Sequence, residues 1–139
     1  MSKAMILFRL VAGLPLLVLG AKHFIDPQHF KNILVASELP MPEVSAIAAP
    51  VAECLAGLLL LLGVFARLGG LLGIATMAPA IYSTIQLAKL DPNKLPAGLT
   101  EVPFVPPLPV PIAVLVCSLL VVLLGAGAWS VDAARGKKA

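Results

Sequence analysis

Few side chains in this chain can do chemistry, since only 12% of its 139 residues are charged. Glu53 is the most informative, because it lies inside the apolar run from Ile47 to Ala66, ahead of the five leucines Leu58–Leu62. A charge at the middle of a membrane helix costs about 2.5–3.5 kcal/mol on insertion scales, so this carboxylate requires a partner, a proton or a task. Lys22 and His23 close the preceding apolar run, and Tyr82, Ser83 and Gln86 stand near the end of the next. If the runs cross a bilayer in alternation, all six residues meet at one depth near the outer face. Lys22 or His23 is then the natural partner of Glu53. Two readings of that layer stay open. One is a polar tie that locks two helices together; the other is a pocket for a quinone, a lipid headgroup or a proton. No nucleophile or metal-ligand pattern accompanies Glu53 and His23, so the chain by itself is not expected to be an enzyme.

A second charged set, Arg9, Arg67 and Asp132, falls toward the opposite face. It reads as structural, with the arginines snorkelling or pairing with Asp132. Cys54 and Cys117 lie in apolar runs, outside any C-x-x-C or Cys/His pattern, and read as small hydrophobes, although a bridge between them stays open. No metal or covalently held cofactor is expected. His29 falls in a connection and reads as a solvated side chain.

The elements that must position these groups follow from composition. Hydrophobic residues make up 60% of the chain and its mean hydropathy is +1.02, too apolar to coat a water-soluble globule of this size. An all-α membrane protein is expected, a single domain built as an up-down bundle of four transmembrane helices with two long outer loops. The helices are expected at about 4–24, 47–66, 68–88 and 108–129, with a loose basic tail over 132–139. The basic start at Lys3 could open a signal peptide, but Arg9 interrupts the apolar core and no A-x-A site follows, so a retained span is expected. Gly13 and Gly20 on the first helix, Gly57 one turn below Glu53, and Gly69 and Gly73 on the third are expected to let helices approach closely. In the first connection Phe30, Ile33 and Leu34 recur at helical spacing, which suits a short helix over about 28–38 lying on the membrane surface. The second, from Asp91 to Pro107, carries so many prolines that a stiff extended path is expected.

Four spans put both termini and the Arg67 corner on one side. That side holds Lys3, Arg9, Arg67, Arg135, Lys137 and Lys138, and the other holds most of the acids. The positive-inside rule then makes the termini cytoplasmic, with a prokaryotic plasma membrane as the expected location. The net charge of +3 is scattered and carries no nucleic-acid footprint, so no nucleic-acid partner is expected. Membrane lipid is the expected surrounding partner.

The segments Arg9-Leu-Val-Ala-Gly13, Gly20-Ala-Lys22, Glu53-x-x-x-Gly57 and Gly63-x-x-x-Arg67-Leu-Gly-Gly resemble, in order and spacing, the DoxX family of small membrane proteins. The resemblance covers about residues 5–85. It implies a compact four-helix bundle in which Lys22 and Glu53 are typical polar positions. It also implies a link with membrane redox systems, which include a subunit of a thiosulfate:quinone oxidoreductase. The expected function is an accessory or anchoring subunit of a quinone-linked membrane assembly, partnered by other redox subunits or by further copies of the chain. The alternative is the binding or transport of a small hydrophobic molecule or lipid in the outer polar pocket around Glu53.

Overall fold

The computed structural model describes residues 3–136. Lys137 and Lys138, counted above among the charges of the tail, lie outside the described residues. The chain is all-helical in its regular structure: α1 (Met5–Ile25), α2 (Pro27–Ala36), α3 (Pro42–Leu62), α4 (Ala66–Ala88), α5 (Pro109–Leu124) and the single turn α6 (Val131–Ala134). Three of these, α1, α3 and α4, are long and apolar enough to cross a membrane, and α5 is a shorter apolar helix.

Their surfaces confirm the solvent they are built for. Leu7, Val11, Leu14 and Val18 on α1, and Val51, Leu55, Leu58 and Leu62 on α3, recur at steps of three and four and are all exposed. Helices that present such continuous apolar rows outward are surrounded by lipid.

Lipid offers no hydrophobic drive for helix association, so close backbone approach has to supply packing. A Cβ at Gly20 would lie 2.6 Å from Cys54 Sγ, and one at Gly57 would lie 2.8 Å from the Leu17 nitrogen, so α1 and α3 touch backbone to backbone. Gly13 faces Leu61 and the Gly57 carbonyl at the same interface, which runs antiparallel. On α4, Gly69 packs on Leu59 and Leu60 of α3, and Gly73 packs on Ser118 of α5.

The element ends follow local chemistry and differ from the sequence expectation in several places. Pro42 is tolerated in the first turn, so α3 starts five residues before Ile47. It stops at Leu62, because Gly63 takes φ 70° and returns its N–H to the Leu59 carbonyl. Helix α5 ends at Leu124 rather than near Trp129, since Gly125 and Gly127 both adopt positive φ. Residues 89–108 contain no helix, as their prolines dictate. The short helix of the first connection is α2, capped by Asp26, whose carboxylate accepts from the His29 N–H at 3.1 Å. Its apolar face does not lie on the membrane. Phe30, Ile33 and Leu34 are buried against the chain itself, in a cluster with Ala46 of α3 and Leu87 of α4. A second cluster, including Leu16, Leu60, Met77, Val114 and Val121, fills the bundle proper.

The described start of the tail, residues 132–136, is also more ordered than expected. Asp132 is buried and its two carboxylate oxygens accept from the N–H groups of Phe65 and Ala66, at 3.0 and 3.1 Å. Helix α4 begins on Phe65, which has left-handed φ and no capping side chain of its own, so the C-terminal segment supplies the missing cap. Arg9 is almost fully buried beside this corner and donates Nη2–H to the Trp129 carbonyl. Its Nε and Nη1 have no hydrogen-bond partner among the described residues, and Arg67 is exposed. Asp132 therefore meets backbone rather than either arginine side chain. Cys54 and Cys117 are free thiols.

Candidate functional site

Glu53 sits on the α1-facing side of α3, one helical turn before Gly57. The glycine contacts that bring α1 and α3 together set the register that aims His23 at it. Position 23 is three residues beyond Gly20 and shares its face, whereas Lys22 points elsewhere. His23 Nδ1 lies 2.9 Å from Glu53 Oε1, and the two side chains are 14% and 4% exposed. With the carboxylate ionised, Nδ1–H donates and Nε2 is left for another partner. The ring itself is held flat by Phe30 of α2, with centroids 3.9 Å apart and planes 14° from parallel.

This pair forms part of the wall of a cavity of about 420 Å³. The cavity lies between α3 and α4, toward the Pro42 end of α3 and the Ala88 end of α4, with Leu19 and His23 of α1 behind it and Phe30, Ile33 and Leu34 of α2 over it. Val105 and Pro106 of the proline-rich connection and Val110 and Pro111 of α5 complete the enclosure. That connection is fastened where His29 Nε2 and the Phe104 carbonyl meet at 3.0 Å, so His29 is a tie rather than a solvated side chain. Apart from His23 and Glu53, the polar groups on the wall are the hydroxyls of Ser45, Thr76, Ser83 and Thr84. Two of these are occupied within their own helix: Thr76 donates to Leu72 and Gly73 carbonyls, and Thr84 to Ala80. A mainly apolar volume with one convergent polar pair is the ordinary form of a small-molecule site.

The family profile for DoxX matches residues 4–86, more than half of the chain. The chain belongs to the DoxX family. A search of curated proteins and a search of solved structures each found no match. The DoxX segment contains α1 to α4 almost to the end, and with them His23, Glu53, Thr76 and Ser83, while the proline-rich connection and α5 lie beyond it.

Of the polar residues singled out from sequence in this DoxX chain, His23 and Glu53 come together on the cavity wall. Lys22 and Tyr82 are exposed and Gln86 is half-buried, and the cavity wall includes none of the three. From the sequence, Phe30 and the loop residues Val105 and Pro106 were not assigned to the site, whereas Ser83 was placed in the polar layer beside Tyr82 and Gln86, and it does line the cavity. The apolar spacing of Phe30 with Ile33 and Leu34 was visible, but whether that face meets lipid or protein depends on how α2 folds back.

Proposed function

We propose that this DoxX protein binds a small hydrophobic molecule, a quinone or a lipid, in the cavity, with the polar group of that molecule at the His23–Glu53 pair. The observation that carries the reading is the cavity itself: an apolar volume of about 420 Å³ meeting one buried acid–base pair. A plain helix tie would need the hydrogen bond but not the space beside it. Within a quinone-linked assembly of the kind the sequence resemblance implies, such a chain would be the accessory subunit that holds the quinone or lipid for other subunits. The pair can hold or hand over one proton, which suits a ligand whose oxygen changes protonation state.

The accompanying topology is four spans in a prokaryotic plasma membrane with cytoplasmic termini. Support comes from the charges at the two ends of the bundle, with Arg9, Arg67 and Arg135 at one end, while the connections at the other offset Lys31, Lys89 and Lys94 with Asp26, Glu38, Glu43, Asp91 and Glu101. Helix α5, at 16 residues, rises only about 24 Å, so the proline segment before it and residues 125–130 after it complete the fourth crossing.

The test is thermal unfolding of the detergent-solubilised protein with added decylubiquinone. A ligand at a hundredfold excess over Kd stabilises by about 2.7 kcal/mol. The wild type is expected to gain stability while Glu53→Gln gains little, and equal absence of a shift in both would count against the reading.

A further inference from the structure

We propose that the cavity is filled sideways from the bilayer through the gap between α3 and α4, and that Ser83 is a second polar contact for the hydroxyl-bearing head of a single-tailed amphiphile held there. The proposal rests on the binding reading above and adds the route, the contact and the ligand class.

The route follows from the rim. Helices α3 and α4 touch near their shared corner, where Gly69 packs on Ala56, Leu59 and Leu60. Toward their outer ends both helices line the cavity instead. The wall there is made by Ala48 and Ala52 on α3 and by Ala75 and Pro79 on α4, each pair one turn apart. Ala48, Ala75 and Pro79 line the cavity and are exposed rather than packed over. A large side chain at any of them would close the gap, and the chain places only small ones. The other approach, from the outer aqueous side, is covered by α2 and by the connection that His29 fastens.

The contact follows from an unpaired hydroxyl. Ser83 lines the cavity, is only 4% exposed, and has no hydrogen-bond partner among the described residues. Buried hydroxyls are nearly always paired, and the neighbouring Thr76 and Thr84 are paired with their own helix. Ser83 can both donate and accept, as can a ligand hydroxyl, while an ionised Glu53 only accepts. A head with one hydroxyl on an apolar body matches this set. A tail longer than the cavity can pass out between the alanines into lipid. An alkylphenol or long-chain alcohol has that chemistry.

The experiment uses the full chain in nanodiscs, with para-nonylphenol delivered from vesicles and binding followed by native mass spectrometry. Wild type is expected to take up one molecule. Ala48→Leu and Ala75→Leu should each slow association about tenfold or more, while Ala78→Leu, an exposed α4 position outside the cavity wall, should leave it unchanged. Ser83→Ala should weaken affinity about five- to tenfold. Unchanged rates in both rim variants would overturn the lateral route. Full affinity in Ser83→Ala would overturn the contact. Binding of decylubiquinone without binding of para-nonylphenol would overturn the ligand class alone, and binding of neither would overturn the pocket reading with it.

Discussion

His23 and Glu53 meet across the α1–α3 interface with Nδ1 2.9 Å from Oε1, and on one side of that pair the bundle leaves an apolar cavity instead of packed side chains. The pair is therefore both a joint between helices and a polar wall. Each role can be measured separately, because stability reads the joint and ligand retention reads the wall.

For the joint, His23→Phe and Glu53→Gln should each destabilise the bundle by about 1–3 kcal/mol, the cost of leaving a buried polar partner without its hydrogen bond. In a double-mutant cycle followed by unfolding in mixed micelles, the two losses should be non-additive by about 1–2 kcal/mol. Strict additivity would mean that the hydrogen bond contributes nothing to holding α1 on α3.

The glycine contacts beneath the pair are expected to be less forgiving. Gly57→Val places side-chain carbon where the Leu17 nitrogen lies 2.8 Å from a bare Cβ and the Gly13 carbonyl 2.9 Å. Backbone cannot move aside as a flexible side chain can, so a loss of about 1–3 kcal/mol or more is expected in the same unfolding assay. The change should also weaken the His23–Glu53 coupling, since it pushes the two helices apart.

At the other end of the bundle, Asp132→Ala should cost about 1–2 kcal/mol through loss of the α4 cap. Asp132→Asn keeps cap acceptors and should cost less on that account, but it removes the carboxylate that attracts the buried Arg9. Hydrogen exchange at Phe65 and Ala66 is the direct readout, with faster exchange expected in the alanine variant.

His29→Ala should release the connection over residues 89–108 without unfolding the bundle. Limited proteolysis should then cut within that connection, near Lys94, more readily than in wild type, while exchange protection in α1, α3 and α4 stays as it was. Unchanged cleavage would mean that the His29 contact to the Phe104 carbonyl does not fasten the loop.

The three long apolar helices α1, α3 and α4 were legible because membrane helices advertise themselves by length and apolarity, and Glu53 was legible because a carboxylate in such a run is costly. Choosing between Lys22 and His23 was harder, as adjacent residues on a helix differ by about 100° in direction and only the packing register decides which faces α3. That register is set by Gly20 against Cys54 and Gly57 against Leu17. The same geometry separates Ser83 on the cavity wall from the exposed Tyr82 next to it. Asp132 reads as part of a loose tail because its partners, the N–H groups of Phe65 and Ala66, are backbone groups about half the chain away. Backbone donors carry no residue signature, so a cap supplied from a distance leaves no trace in sequence spacing. The face of α2 was visible as apolar, but lipid and a protein cavity are equally apolar surroundings, and the fold alone distinguishes them.

The most direct test of the central claim is native mass spectrometry of the gently solubilised protein, with extraction and identification of whatever small molecule it carries, on wild type and on Glu53→Gln. The account predicts one small hydrophobic molecule bound to the wild-type chain and lost, wholly or largely, from the variant. A wild-type chain that carries no such molecule, or a variant that retains it as fully as the wild type, would contradict the account and leave Glu53 a tie between helices.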